Sequence, residues 1–333
     1  MKLNKLVLAS ALLLTGSLVS CGNKAKEVTV GVGYAGSFGE SYGNYQLDLT
    51  TAFAAFDKDG KVVDARFDVV QVKVAANEEK TAVTLKNTNI VDGSVTSKLE
   101  LGPAYGMVGD SEIGKEVDAQ IEAFADWTVG KTIAEVKAGI APDSGHGIAP
   151  NKELATSVTI TVTDFVTALE SAYTNVSEAT YKVSDVKAGV AMTSTLNSKG
   201  TEIDVVVGGT LVSGDKVVAA HFDQVVYPVV VDGETGVVSG DTSSKYLTKG
   251  VLKSKYVLGA EYSMAADSPI GKEWYEQAEV IFAACANKTA AEITALTKGK
   301  GELTGATMNV DSYLATIAKA AKYAPLANVA AGK

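Results

Sequence analysis

The chain is poor in histidine, cysteine and arginine. Its 333 residues include two histidines (His146 and His221), two cysteines (Cys21 and Cys285) and a single arginine, Arg66. These few histidines and cysteines cannot assemble a Cys/His zinc site, so we predict no metal. An acidic chain with a formal net charge of −9 and one arginine is poorly suited to a phosphate backbone. We therefore predict no nucleic-acid partner.

Proline is scarce too, with 6 residues, whereas 46% of the chain is hydrophobic and 21% is charged. That balance is typical of a folded globular protein rather than of a disordered chain. The length suits about two domains of ordinary size. Cys285 lies in an apolar stretch and is predicted to be a small buried hydrophobe.

The first twenty residues have the pattern of a secretory signal. Lys2 and Lys5 precede an apolar run over residues 6–17, which is too short to span a bilayer. Residues 18–21 read Leu-Val-Ser-Cys, and a leucine three positions before a cysteine resembles the bacterial lipoprotein box. The resemblance implies cleavage before Cys21, lipid on that cysteine, and a place on the extracellular face of the cell membrane. The alternative is an ordinary secretory signal whose cysteine is incidental.

The rest of the chain contains the same unit twice. Residues 97–107 recur as 254–264, and residues 110–116 recur as 267–273 with the same offset. Two further matched blocks, one on either side, keep the same order, which indicates a domain duplication. The predicted divisions are a signal peptide at 1–20, a tether at 21–27, repeat one at 28–175 and repeat two at 180–333.

Each unit is predicted to have its strands first and its helices after them. Residues 47–53 alternate apolar and polar side chains, and residues 62–74 are rich in β-branched residues, as strands are. Residues 203–212 and 217–231 repeat this pattern in unit two. Apolar stripes and capping boxes predict three helices a unit, starting near Ile113, Thr132 and Phe165, and near Ile270, Thr289 and Tyr313. The predicted fold class is α+β: two tandem copies of an antiparallel sheet packed with helices.

Two glycine-containing motifs suggest ligand loops. Residues 31–36 spell GxGxxG, but a dinucleotide site needs a helix to begin there, and the following residues are loop-like. Asp57 and Asp59 precede Gly60, but the spacing lacks the other ligands of a calcium loop. A hairpin turn is the favoured interpretation of the second motif.

Two further motifs suggest catalysis. Residues 143–147 place a serine and a histidine in one Gly-containing loop, without a third group to orient the base. Gly-Lys-Glu occurs at both 114–116 and 271–273. We expect it to be the solvated first turn of a helix, and we predict no catalytic residues.

Residues Thr304, Gly305, Ala306 and Thr307 precede the closing helix of unit two. They resemble the threonine–glycine–alanine–threonine signature of FMN-binding domains, in which a flavin transferase joins FMN to the last threonine through a phosphoester. The resemblance implies that Thr307 carries FMN and that the other three residues surround the attachment site. We expect the small Gly305 and Ala306 to leave the hydroxyl accessible, and the phosphate to lie near a helix N-terminus.

The sequence departs from the family pattern in two places. The aspartate that the family has six residues before the modified threonine is Gly301 here. Unit one reads Thr-Ser-Val-Thr at 156–159, and the bulkier Val158 predicts that Thr159 is not an attachment point. The alternative for the whole motif is a loop leading into a helix, in which the threonines are capping hydroxyls.

The layout also resembles flavin-bearing surface lipoproteins of Gram-positive bacteria: a lipoprotein box, tandem β-rich units and the closing motif. The resemblance implies an extracellular electron carrier that is loaded by a flavin transferase. Its electrons would pass from a membrane quinone oxidoreductase to an extracellular acceptor. Such a carrier needs no acid–base residues of its own, because the flavin does the chemistry. The alternative is a non-redox binding or interaction lipoprotein with a degenerate FMN-binding fold.

Overall fold

Each unit begins with a three-stranded antiparallel meander and continues into helices. The computed structural model describes residues 25–140 and 154–324. The elements up to residue 175 are β1 (Lys26–Ser41), β2 (Asn44–Asp57), β3 (Val62–Ala76), β4 (Val83–Leu85), β5 (Ile90–Val91), β6 (Ser94–Val95), α1 (Lys98–Leu101), α2 (Val117–Thr128), α3 (Ile133–Ala138) and α4 (Thr163–Thr174). Those that follow are β7 (Tyr181–Val183), β8 (Lys187–Leu196), β9 (Glu202–Ser213), β10 (Lys216–Val231), β11 (Val238–Gly240), β12 (Leu247–Thr248), β13 (Val251–Leu252), α5 (Lys255–Leu258), α6 (Trp274–Cys285), α7 (Ala290–Thr294) and α8 (Asp311–Tyr323).

Two larger antiparallel sheets organise the molecule. One has the strand order β4-β3-β2-β1-β7, and the other has the order β11-β10-β9-β8. The α+β class predicted from the sequence is confirmed. The short strand β7 pairs with β1 through Lys26 and Val183. The sheet of unit one therefore extends a few residues beyond residue 180.

The two sheets face each other across a shared apolar core. The period of two along β2 sends Leu47, Leu49 and Phe53 into this core, which also contains side chains of β8, β9 and β10. The alternate residues Ala52 and Phe56 pack instead against α2 and α4. In unit two, α6 and α8 cover the outer face of the second sheet in the same way. The layers run helices, sheet, sheet, helices.

Close contacts join the two units. Gly209 of β9 lies under the ring of Phe53, because a Cβ at Gly209 would lie 2.1 Å from the Phe53 Cδ2 atom. The Ser254 N–H donates to the Tyr34 hydroxyl at 2.7 Å, and that hydroxyl donates to the Leu252 carbonyl at 3.2 Å. These contacts fix the two units on one another.

The first two glycines of the GxGxxG run lie inside β1, where α4 crosses the strand. A Cβ on Gly33 would lie 2.0 Å from the Ala172 nitrogen, and one on Gly31 would lie 2.1 Å from the Ala172 carbonyl oxygen. In unit two, a Cβ on Gly189 would lie 2.2 Å from the carbonyl oxygen of Ala320 on α8. These glycines allow helix and strand to touch, which is a packing role rather than a nucleotide loop.

The helices after the sheets begin later than the apolar stripes predict. Starts at Ile113 and Ile270 are wrong, since α2 and α6 begin four residues further on. Gly114 and Gly271 have φ values of +62° and +63°, a left-handed conformation that a right-handed helix cannot include. The apolar stripe includes residues of the loop before each helix, because that loop packs on the same core as the helix.

The repeated Gly-Lys-Glu is not a solvated first turn. Glu116 and Glu273 are only 8% and 9% exposed. A carboxylate oxygen of Glu116 accepts the Met107 N–H at 2.8 Å, and Glu273 accepts the Met264 N–H at the same distance. Each glutamate precedes its helix and ties the preceding loop to it, so the expectation of a solvated charge is corrected for both glutamates.

The segment with Asp57, Asp59 and Gly60 is the hairpin turn between β2 and β3, as predicted. The Asp57 carboxylate accepts the backbone N–H groups of Asp59 and Lys61, both at 3.0 Å. Gly60 has a φ of +73°, which suits glycine in a tight turn. The carboxylate of Asp57 therefore stabilises backbone, as side chains in Asx turns do.

Each unit buries one aspartate where its third strand meets its first helix. Asp68 accepts the Val69 N–H at 2.7 Å and the Leu99 N–H at 3.0 Å. Asp223 in unit two accepts the corresponding pair of N–H groups at the same distances. Burial raises the pKa of each carboxyl to about 7. Both groups therefore change charge within the neutral pH range.

We expect Asp68→Asn to weaken the pH dependence of stability. A carboxyl whose pKa is raised to about 7 in the folded chain, against about 3.9 unfolded, favours folding at low pH, and this contribution is lost as the pH rises towards 7. Asparagine can accept the same two hydrogen bonds without ionising. Urea unfolding across about pH 4 to 8 should show a smaller loss of stability with rising pH in Asp68→Asn. The exposed Asp110→Asn is the control, and equal slopes in the two variants would contradict the assignment.

Candidate functional site

The threonine–glycine–alanine–threonine motif forms the loop that leads into α8. It follows a single 3-10 turn, Gly301–Leu303, and ends four residues before the first residue of the helix. Thr304 is exposed, Gly305 and Thr307 are half-buried, and Ala306 is fully buried. The last threonine thus lies at the surface of unit two.

Gln277 of α6 holds this loop in place. Its side-chain Oε1 accepts the Thr307 N–H at 2.7 Å, the Thr307 hydroxyl at 3.2 Å and the Met308 N–H at 3.1 Å. The amide nitrogen of Gln277 donates to the Ser268 hydroxyl at 3.2 Å and to the Lys272 carbonyl at 3.1 Å. One side chain therefore connects the motif to the loop before α6.

Unit one has the same arrangement. Gln120 accepts the Thr159 N–H at 2.7 Å, the Thr159 hydroxyl at 3.1 Å and the Ile160 N–H at 3.1 Å. Neither glutamine was predicted from the sequence. The signal was present, because a glutamine occurs four residues after Glu116 and again four residues after Glu273.

The small residues of the motif do not act as predicted. A Cβ on Gly305 would lie 3.2 Å from a methyl carbon of Val280, so the glycine lets the loop pack against α6. Ala306 has no exposed surface, and neither has its counterpart Val158. Both side chains point into the cores of their units. The prediction that the smaller Ala306 makes Thr307 more accessible than Thr159 is therefore wrong.

The units differ more clearly in the space beside the threonine. Unit one has a cavity of about 660 Å³ next to Thr159. The cavity lies between the sheet and the start of α4, and its lining includes Asp48, Val69, Lys98 and Phe165. A volume of this size falls within the usual range of small-molecule sites.

In unit two the corresponding positions carry larger side chains that contact one another. Trp274 stands at the position of Val117, and its ring N–H donates to the Tyr313 hydroxyl at 3.2 Å. Tyr313 in turn donates to Gln224 at 2.6 Å, and Gln224 donates to Asp204 at 2.8 Å. This chain of side chains occupies the space that is open in unit one.

The loop at Thr307 offers a hydroxyl suitable for FMN attachment, but the interior of unit two offers no space for the flavin beside it. A half-buried threonine hydroxyl on a fixed loop is a suitable point for a phosphoester. The packed Trp274 and Tyr313 close the interior space beside it. The helix that follows begins with Asp311, whose carboxylate has the same sign as a phosphate. The site therefore supports attachment through the hydroxyl but offers no recess of the kind seen in unit one.

Other residues of the motifs and of the repeated blocks have structural roles or lie outside the residues that the structure describes. Cys21 and the Ser–His loop at 143–147 fall outside the described residues. Tyr105 and Met107 pack against the core of unit one. Their counterparts in unit two, Tyr262 and Met264, pack against its core in the same way. These aromatic and methionine side chains are therefore accounted for by core packing.

The remaining histidine and cysteine are buried in unit two. The His221 ring stacks on Phe282 at 4.4 Å, and burial lowers its pKa to about 3, so it is neutral. Cys285 is fully buried, as predicted, and burial raises the pKa of its thiol to about 12. Within residues 25–140 and 154–324, no three His, Cys, Asp or Glu side chains form a set that could hold a metal. The helices in these ranges are all too short or too polar to cross a membrane.

Comparison with known proteins gives a partial relative. The chain is 30% identical over 123 residues to a chlorophenol reductase of Desulfitobacterium hafniense. The match covers 34% of this chain and 38% of that protein, so the chain spans well under two thirds of the length of this relative. No protein-family model matches the chain, and no solved structure matches it.

Proposed function

We propose that the protein is a lipid-anchored surface lipoprotein that carries FMN on Thr307 and transfers electrons outside the cell. The observation that supports this most is the half-buried Thr307 hydroxyl, which lies in the signature tetrapeptide and is held by Gln277. A partial relative named as a reductase is consistent with a redox role. The FMN, when bound, supplies the electron-accepting and electron-donating chemistry.

Gln277 keeps the attachment loop rigid before and after modification. Three hydrogen bonds converge on its Oε1 atom, two from backbone N–H groups and one from the Thr307 hydroxyl. A Thr307 oxygen in a phosphoester would carry no proton, so only the hydroxyl bond to Gln277 would be absent. The two backbone bonds remain and hold the loop against α6.

The proposed partners follow from the anchor and the cofactor. Cleavage before Cys21 would remove Lys2 and Lys5 and leave 28 basic against 39 acidic residues, a formal net charge of −11. This charge would repel an anionic membrane surface, so lipid on Cys21 must hold the protein there. A flavin transferase would load Thr307. A membrane quinone oxidoreductase would supply electrons, and an extracellular acceptor would take them.

Cys21→Ser should release the protein from the membrane into the medium. Serine has no thiol to carry lipid, and the acidic surface gives the chain no other attraction to anionic lipids. Immunoblots of membrane and medium fractions measure the distribution, with Cys285→Ser as a matched control that should stay in the membrane. Equal membrane retention of Cys21→Ser and the parent chain would contradict the lipid anchor.

A non-redox binding lipoprotein is the second candidate, and the open cavity beside Thr159 favours it. Binding needs accessible space, and unit one provides that space whereas unit two has closed it. The colour of protein purified from its own membrane separates the candidates. A yellow preparation supports the flavin carrier, and a colourless one supports the binding protein.

A further inference from the structure

The cavity in unit one carries an excess of negative charge. Asp48, Glu112 and Asp164 lie in its lining, with Lys98 as the single basic residue among the lining positions that the structure describes. The Lys98 ammonium lies 4.9 Å from the centre of the Tyr105 ring. This contact leaves the charge of Lys98 in place, so among the lining residues that the structure describes the three carboxylates exceed the basic side chains by two.

Two of the carboxylates act on one another. The pKa of Asp164 is raised, first by burial and then by the negative charge of Asp48. Asp48 accepts hydrogen bonds from the amides of Gln46 and Gln71, at 2.9 Å and 2.7 Å, which are neutral groups. A positive charge between the two carboxylates would relieve their repulsion.

Five apolar side chains line the cavity, beside the hydroxyl-bearing Ser37, Thr50, Thr159 and Thr161. Val69, Val117, Met107, Ile160 and Phe165 contribute to the wall. Such a surface favours the hydrocarbon part of a ligand over a hydrated inorganic ion. The excess of carboxylates and the apolar side chains of the lining together indicate an organic ligand with one positive end and one apolar end.

The corresponding positions of unit two can be compared with those of unit one. They have neither the open cavity nor the excess of acidic side chains. Glu112 is replaced by Pro269, and Asp164 is replaced by Ser312. Asp204, the counterpart of Asp48, accepts a hydrogen bond from Gln224 at 2.8 Å, and the space is filled as described above. Where the cavity is closed, the excess of acidic residues is absent.

We propose that the cavity of unit one is a binding site for small organic cations, with an ammonium or amidinium group between Asp48 and Asp164 and an apolar body against Phe165. Anions of the same shape, including a flavin phosphate, are excluded by the three carboxylates. The inference concerns unit one alone and holds whether or not Thr307 carries FMN.

Calorimetric titration of the full chain, expressed without a flavin transferase, tests the proposal with two probes of similar shape. We expect saturable binding of 2-phenylethylamine and none of 3-phenylpropionate. Asp164→Asn should weaken amine binding about tenfold, because one of the two flanking charges is lost. Glu78→Gln, which removes one negative charge at an exposed turn far along the sheet, should leave it unchanged.

A cavity-filling variant provides a second readout. Val117→Trp copies the residue of unit two into the cavity lining and should abolish amine binding, while circular dichroism and the Tm report whether the chain still folds. Equal binding of the amine and the carboxylate would overturn the proposal. It would also be overturned by an amine affinity that Asp164→Asn does not change, or by no saturable amine binding at all.

Discussion

Thr307→Ala is expected to abolish covalent FMN, and Thr159→Ala is expected to leave one FMN on each chain. The signature tetrapeptide is present only in unit two, although both threonines are held by a glutamine in the same way. The structure adds an electrostatic reason for the preference. Asp48, Glu112 and Asp164 line the space beside Thr159 and would repel the flavin phosphate, whereas unit two keeps only Asp204 at these three positions, with Asp311 at the start of α8.

Co-expression with a flavin transferase and intact-mass measurement of the denatured chain provide the test. The parent chain and Thr159→Ala should both gain the mass of one FMN less one water, and Thr307→Ala should gain none. Gln277→Ala should reduce the loaded fraction by freeing the loop, while Gln120→Ala, its counterpart in unit one, should not. Loading of Thr159 in addition to Thr307 would show that the acidic cavity does not exclude the phosphate.

Gly33→Ala is expected to destabilise the fold severely. The added Cβ would lie 2.0 Å from the Ala172 nitrogen and 2.1 Å from the Ala168 carbonyl oxygen, and neither backbone atom can move without displacing α4. We expect a loss of about 3 kcal/mol or more in the free energy of unfolding, or no soluble folded chain.

Gly39→Ala on the same strand is the matched control for this substitution. No atom lies within 4 Å of a Cβ built at Gly39, so the added methyl group meets open space. Urea or thermal unfolding should show Gly39→Ala within a few tenths of a kcal/mol of the parent chain, or slightly above it. If Gly33→Ala were as stable as Gly39→Ala, the helix could not be packed on β1 as described.

Local patterns in the sequence predicted much of each unit. The alternation in residues 47–53 and the capping boxes at Thr132 and Thr289 correspond to β2, α3 and α7. The predicted helix starts failed at Gly114 and Gly271, because a left-handed φ depends on the fold of the loop and not on the apolar stripe. The shared core was not predicted either. Residues 52–56 of β2 are apolar on both faces of the strand, which indicates two buried faces but does not identify what covers each one.

The candidate site was predicted only in part. Thr307 was proposed from its tetrapeptide, whereas Gln277 was missed because a glutamine inside a helix stands out only when the two units are aligned and it recurs four residues after Glu116 and Glu273. The cavity could not be predicted, since its lining comes from positions between Ser37 and Phe165. The difference between Val117 and Trp274 is visible in the sequence. Its consequence for the enclosed space appears only when strand, loop and helix are brought together.

The most direct test of the central claim is peptide mapping of protein purified from its own membrane. Trypsin cuts after Lys300 and Lys319, which separates Thr307 from the unit-one peptide that contains Thr159. We predict a yellow protein whose peptide 301–319 carries one FMN through a phosphoester, with the Thr159 peptide unmodified. A colourless protein with both peptides at their unmodified masses would contradict it.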